Sequence, residues 1–214
     1  MTVVHPSHHR VHRVVPVSHH GPLTRVVHGV LALAVIEQLG SSLLMVPAEP
    51  GQVPNAAFEV HEAGGLVAFG TILAFWLTIM LRSHGTPAGL LFPWTDRLRL
   101  RDLWHDTASH LRALRRRRLP TYDARSPLAS AVHGLGLLAI SAMALTGALY
   151  WAVGIENPDA AGLPGALMTL HRLCSKLAWA YLIGHASVAV IYHFTSPMRL
   201  SAMWSLPSGS ELHK

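Results

Sequence analysis

Four long runs of apolar residues, separated by polar segments, dominate the chain. They cover roughly residues 23–46, 57–81, 128–155 and 165–195. Each run reaches the length of about 20 apolar residues that a helix needs to cross the hydrocarbon core of a membrane. Only helices and closed barrels span lipid, and these runs are far too long for barrel strands. The pattern predicts an all-α integral membrane protein, with one four-helix bundle domain over residues 23–195.

The polar segments predict how the bundle is oriented. Of the 17 Lys and Arg residues, ten lie between Arg82 and Arg125, within a predicted loop over residues 82–127. The other two connections, "PAEPGQVPN" and "ENPDAAGLP", contain no Lys or Arg. Basic loops stay on the cytoplasmic side. This loop, the His-rich basic tail 1–22 and the tail 196–214 are therefore predicted to be cytoplasmic, which places both termini there.

Composition supports a membrane protein and excludes several kinds of site. The chain is 50% hydrophobic and only 13% charged, whereas soluble domains average about 25% charged residues. Cys174 is the only cysteine. The chain alone therefore supplies no disulfide framework, no Cys-ligated iron–sulfur cluster and no c-type haem attachment sequence.

Within the long polar loop, residues 96–118 have the pattern of an amphipathic helix. Its apolar positions are Leu98, Leu103, Trp104 and Leu111. A basic helix of this kind lies in the membrane interface with its apolar face toward lipid. We predict that this segment rests on the inner leaflet.

The last apolar run carries two histidines on one face. His171 and His185 are 14 residues apart, which corresponds to about 21 Å along a helix and returns to within roughly 40° of the starting direction. Ionisable side chains inside a membrane are costly and usually mark a functional site. A single histidine could merely hydrogen-bond a neighbouring helix, but two on one face are harder to explain in that way.

Histidines of the other helices lie at matching depths. Given the predicted orientation, His28 and His185 lie toward the inner side of the membrane, and His61 and His171 lie toward the outer side. Depth therefore predicts two pairs, His28 with His185 and His61 with His171. His133, near the inner end of the third helix, is a competing partner at the inner level.

Paired imidazoles in an apolar bundle favour haem over other metal sites. Haem iron takes one axial ligand on each face of the macrocycle, and bundle cores hold such cofactors. Zinc prefers three or four protein ligands that converge on one point. Copper favours Met or Cys beside His. We therefore interpret the histidines as axial ligands of haem iron.

These residues resemble the prokaryotic di-haem cytochrome b family. That family includes bacterial cytochrome b561 and the membrane b-subunits of nickel–iron hydrogenase, formate dehydrogenase and thiosulfate reductase. The resemblance rests on "LHRLCSKLAWAYLIGHA", with His171 and His185, on "TRVVHGV", with His28, and on "FEVHEAGG", with His61. It covers about residues 20–200 and departs at Gly29, where an aromatic residue often follows the ligand.

The resemblance implies two haem b groups, with His28 and His185 as ligands of the inner one and His61 and His171 as ligands of the outer one. It also implies a respiratory-chain role in the bacterial cytoplasmic (inner) membrane. Electrons would pass between the quinone pool, with quinone near the inner haem, and a periplasmic-side dehydrogenase or hydrogenase subunit or soluble carrier. Iron held by two imidazoles has no open position, so it transfers electrons and activates no substrate.

Three further residues are weaker candidates around the cofactors. Arg172 and Lys176 could hold haem propionates near the outer face, or could simply extend to the interface as cations do. His133 could hydrogen-bond a propionate, a quinone or a loop carbonyl. Two other functional classes stay open at this stage. One is a non-haem membrane anchor subunit of a peripheral enzyme, and the other is a small transporter, although Glu37 and Gln38 are almost the only polar groups in the middle of the runs.

Overall fold

The computed structural model describes residues 20–47, 51–82, 86–123, 125–153 and 162–196. This part of the chain is helical and has no strand. The helices are α1 Pro22–Ser42, α2 Ala56–Leu81, α3 Ala88–Leu91, α4 Arg97–Arg115, α5 Pro127–Val153 and α6 Leu163–Thr195, with a 3-10 turn at Pro93–Thr95. Helices α1, α2, α5 and α6 are long and apolar enough to cross a membrane. The predicted all-α fold with four membrane-spanning helices is confirmed.

Helix α1 is shorter than its apolar run. It ends at Ser42, four residues before the expected end at residue 46, in a turn in which Leu43 N and Leu44 N donate to Gly40 O and Ser41 O. The side chain of Asn55 then closes the connection to α2. It donates to Leu44 O at 2.9 Å and accepts from Val46 N at 2.9 Å and Phe58 N at 3.1 Å. One side chain therefore caps α2 and fixes the chain that leaves α1.

The four long helices pack in chain order. Helix α1 packs against α2, α2 against α5, and α5 against α6, whereas α6 makes at most marginal contact with α1 and α2. A buried apolar cluster joins the first three of these helices and reaches α6 at Ala178. Trp76 Nε1 on α2 donates to Ser141 Oγ on α5 at 2.9 Å. The bundle is thus tight from α1 to α5 and opens between α6 and the α1–α2 pair.

Helix α4 lies beside the start of α5 and is tied to it by Asp106. The Asp106 carboxylate accepts from Ser126 Oγ at 2.6 Å and from Leu128 N at 3.0 Å, and it lies 3.2 Å from His110 Nδ1. Desolvation alone would raise the pKa of Asp106, but these hydrogen bonds and the nearby His110 together lower it.

The amphipathic helix predicted over residues 96–118 corresponds to α4. Leu98, Trp104 and Leu111 are exposed, as a lipid-facing surface requires, and Leu103 is half-buried beside α5. Most of the predicted N-terminal tail and residues 197–214 of the predicted C-terminal tail lie outside the described residues.

Candidate functional site

His61 on α2 and His171 on α6 face each other across the opening between these helices. Their ring centroids are 6.4 Å apart, and the ring planes are nearly perpendicular, at 84°. Both residues are half-buried. The structure thus brings together the pair that sequence depth placed at the outer level.

The His61 ring is held by the last turn of α1. Its Nδ1 atom lies 3.1 Å from Gln38 O and 3.0 Å from Ser41 Oγ. Gln38 strengthens the same contact from its side chain, since its Nε2 donates to His61 O at 2.9 Å. Helix α1 therefore fixes both the backbone and the ring of His61.

The His171 ring is held in the same way by α5. Its Nδ1 atom lies 3.1 Å from Met143 O and 3.0 Å from Thr146 Oγ1. In each case a backbone carbonyl and a hydroxyl three residues later on the preceding helix share one imidazole nitrogen. We call these two arrangements the α1 clamp (Gln38 O and Ser41) and the α5 clamp (Met143 O and Thr146).

The two clamps decide which nitrogen is available to a metal. A carbonyl oxygen only accepts hydrogen bonds, so the proton of each neutral imidazole resides on Nδ1. The lone pair is then on Nε2, the nitrogen that the clamps do not touch. Metal-ligating histidines are held in this way, with the second ring nitrogen donating to a fixed acceptor.

The separation of the rings fits a metal ion between them. An imidazole nitrogen binds a transition metal at about 2 Å, so two imidazoles on opposite sides of one ion have ring centroids about 6 Å apart. The observed 6.4 Å agrees with this value. Helix α6 stands off from α1 and α2, and Gly147 keeps the α5 side of His171 free of a side chain. The residues therefore fit an iron porphyrin that has one imidazole on each face.

A second group of imidazoles lies at the other end of the bundle. The rings of His133 on α5 and His185 on α6 have centroids 5.0 Å apart. His28 on α1 lies near both of these rings and packs against Phe75, with centroids 6.3 Å apart. His133 Nδ1 donates to Ala129 O of its own helix at 2.6 Å. The structure keeps all three sequence-predicted histidines at one level.

Tyr181 positions His185 from the same helix. The two rings stack with centroids 5.3 Å apart and an angle of 13°. Tyr181 has room only because residue 136 on α5 is glycine, since a Cβ there would overlap the tyrosine ring. Gly136 therefore leaves the space for the Tyr181 ring, on which His185 stacks.

A polar pair near the end of α1, Glu37 and Gln38, packs against α2 at Gly64, three residues after His61. Glu37 Oε2 accepts from Gln38 Nε2 at 2.7 Å. A Cβ at Gly64 would overlap both side chains, so glycine is required for this approach. Oε1 of Glu37 is buried and has no hydrogen-bond partner among the described residues. These are the polar groups that the sequence placed in the first apolar run.

The weaker sequence candidates and the residues that sequence reasoning missed differ in burial. Arg172 and Lys176 are both exposed on α6. Arg25, which the sequence did not single out, is buried on α1, and its Nε donates to His20 O at 3.1 Å. Ser41 and Thr146 were also missed. Their only sequence signal is a hydroxyl group within a membrane-spanning run, a feature shared by several residues without this role.

Among residues 20–47, 51–82, 86–123, 125–153 and 162–196, no three His, Cys, Asp or Glu side chains are grouped to hold a metal ion. The histidines instead supply one nitrogen from each of two helices at one level. Such a donor set suits an ion whose other ligands come from a macrocycle.

Comparison with protein families agrees with this geometry. The family described as prokaryotic cytochrome b561 matches residues 19–206, nearly the whole chain and all of the histidines discussed above. Comparisons with curated proteins and with solved structures gave no significant match. The chain therefore belongs to the prokaryotic cytochrome b561 family, as a multi-pass bacterial membrane b-type cytochrome that binds haem b and takes part in electron transfer.

Proposed function

We propose that the chain is a di-haem cytochrome of the cytoplasmic membrane that carries electrons between the quinone pool and a redox partner on the periplasmic side. The observation that carries the proposal is the facing pair His61 and His171, with each Nδ1 held by a clamp and the two centroids 6.4 Å apart. A membrane anchor without haem does not require two imidazoles oriented in this way.

Haem b supplies a reversible one-electron carrier when it is bound. For the outer haem, the chain contributes Nε2 of His61 and Nε2 of His171, with the clamps holding both rings in register. For the inner haem, the family pattern assigns His28 and His185, and the position of His133 beside His185 suits a hydrogen bond to a propionate or to a quinone headgroup. Arg172 and Lys176 lie one and five residues after His171 and could neutralise propionates there.

The proposed direction across the membrane rests on charge. The connection that contains α4 is rich in arginine, whereas the short connections at the opposite end of the bundle contain no Lys or Arg. The positive-inside rule then puts both termini and the His185 level on the cytoplasmic side. The His61–His171 level faces the periplasm, where a dehydrogenase, a hydrogenase subunit or a soluble carrier would meet it.

Haem content of purified variants tests the number and the ligands of the haems. We expect two haem b per wild-type chain and one per chain in His61→Ala and in His171→Ala, since each removes an axial ligand of the same haem. His105→Ala, an exposed histidine of α4, is the matched control and should keep both. Two haems with unchanged spectra in His61→Ala would contradict the ligand assignment.

The inner ligand is tested by a second pair of variants. His28→Ala should lose the inner haem, whereas His133→Ala should retain both haems and at most slow the oxidation of the reduced protein by a short-chain quinone. The reverse result would make His133 the inner ligand. If the wild-type protein reduces no quinone while both haems are present, the quinone link fails and the di-haem assignment stands.

A further inference from the structure

A groove between α4 and the start of α5 is separate from the histidine sites. It has a volume of about 790 Å³, which is within the range of small-molecule sites. On α5 its wall is formed by Leu128, Ala131, Val132 and Leu135. Their spacing of three, four and seven residues makes one continuous apolar stripe along the helix. An elongated apolar ligand fits such a wall.

The groove lies on the far side of α5 from the imidazoles. His133 is roughly 150° around the helix from the middle of the apolar stripe. A redox-active molecule in the groove would therefore be separated from the His185 level by the α5 helix itself. This position argues against a quinone that exchanges electrons there and favours a ligand with no redox role.

The opposite rim of the groove carries two arginines. Arg97 and Arg101 both line it from α4 and are exposed. Within the part of the chain that the structure describes, neither side chain forms an ion pair or a hydrogen bond. They are four residues apart, so the two like charges are neighbours on the helix and repel each other. The neighbouring carboxylate of Asp96 is used elsewhere, since it caps Leu98 N and Arg99 N. An anion between the two guanidinium groups would relieve this repulsion.

Two tryptophans favour a position of the rim at the level of the lipid headgroups. Trp94 and Trp104 line the groove and are 43% and 70% exposed. Tryptophan is enriched where a membrane meets water, and the groove lies where a spanning helix begins beside a basic surface helix. Lipid is the molecule that has both an apolar chain and a phosphate at this level.

We propose that the groove binds one anionic phospholipid, with an acyl chain along the α5 stripe and the headgroup phosphate between Arg97 and Arg101. Free phosphate would satisfy the arginines but would leave the apolar walls uncovered, and a neutral lipid would cover the walls but leave the arginines unneutralised. The proposal does not depend on the number or the ligands of the haems.

Native mass spectrometry of the protein, purified and then exchanged into micelles with defined amounts of phosphatidylglycerol and phosphatidylcholine, tests the site. We expect one phosphatidylglycerol to be retained preferentially. In Arg97→Gln/Arg101→Gln its affinity should fall by about tenfold or more, because each arginine near a headgroup favours an anionic lipid. The matched control is Arg112→Gln/Arg115→Gln, which removes the same charge from the same helix outside the groove and should bind as the wild type does.

Quenching of tryptophan fluorescence locates the bound chain. Brominated phosphatidylglycerol should quench the wild type more than brominated phosphatidylcholine does, and this difference should disappear in Trp94→Phe/Trp104→Phe. Equal loss of binding in both arginine pairs would overturn the proposal in favour of general surface attraction. Displacement of the bound phosphatidylglycerol by inorganic phosphate would identify a simple anion site, and its displacement by a short-chain quinone would identify a quinone site. Either result would also overturn the proposal. Haem content is measured in every variant, so a failure of the haem assignment is distinguished from a failure of the lipid site.

Discussion

Replacing Thr146 with valine removes one hydroxyl from the α5 clamp and leaves the shape of the side chain almost unchanged. In the wild type the Thr146 hydroxyl lies 2.7 Å from Ala142 O, to which it donates, and 3.0 Å from His171 Nδ1, from which it accepts. In the variant His171 Nδ1 retains Met143 O at 3.1 Å. The ring therefore stays oriented, and its Nδ1 proton loses one of two acceptors.

The expected effect is a rise in the midpoint potential of the proposed outer haem, which His61 and His171 would hold. An acceptor at Nδ1 makes the imidazole a stronger donor to iron and so stabilises the oxidised form more than the reduced form. A neutral hydrogen bond contributes about 0.5–1.5 kcal/mol, and only the part that differs between the two oxidation states shifts the potential. For a one-electron couple, about 1.4 kcal/mol corresponds to about 59 mV, so we expect a rise of at most about 20–60 mV.

Potentiometric titration of the haem absorbance measures this change directly. Thr78→Val is the matched control, because Thr78 is also buried in a spanning helix and its hydroxyl donates to Ala74 O at 2.8 Å without touching a histidine. Ser41→Ala should raise the same potential through His61. A fall in the outer potential, or an equal shift of both haems or in the control, would refute the role that we assign to the clamp.

Three further predictions concern the His185 level, the link between α4 and α5, and the orientation. Gly136→Ala should displace Tyr181 and weaken haem binding at the His185 level, as haem content will show, whereas Gly70→Ala, where a Cβ meets nothing within 4 Å, should not. Asp106→Asn should lower the free energy of unfolding by about 1 kcal/mol at neutral pH, because it weakens the cap at the start of α5. Folding lowers the pKa of Asp106, so the extra stability of the wild type over Asp106→Asn should be complete above about pH 4, the unfolded value. It should be lost as the pH falls through the folded pKa. Unfolding measured across this pH range checks the prediction, with Asp102→Asn as the control variant. A reporter fused after Arg118 should be located in the cytoplasm, and a reporter fused after Glu49 should be located on the opposite side of the membrane.

Hydropathy and helical spacing predict the membrane spans and the depth of the histidines, whereas packing determines which side chains contact each other. The four spans follow from the lengths of the apolar runs, because lipid requires each crossing segment to satisfy its own backbone. The approach of His61 to His171 follows from depth, since both lie near the same end of the bundle. The early end of α1 at Ser42 is a local turn, which the length of the apolar run does not reveal.

The clamps could not be predicted in this way. Ser41 and Thr146 contact their histidines from a preceding helix, so the contact depends on how two helices are rotated against each other. Sequence gives the depth of a residue but leaves this rotation undetermined. The same limit explains the His185 level, where His28 and His133 have equal depth and packing brings His133 next to His185.

The arrangement of the clamps has a consequence for biogenesis. Helices α1 and α2 form one hairpin and α5 and α6 form another, and each hairpin contains a histidine together with the clamp that orients it. Each hairpin can therefore orient its own histidine before the two hairpins meet in the membrane. A macrocycle bound between His61 and His171 would add a link between the two hairpins, which otherwise meet mainly where α2 packs against α5, so cofactor insertion would strengthen the association of the two hairpins.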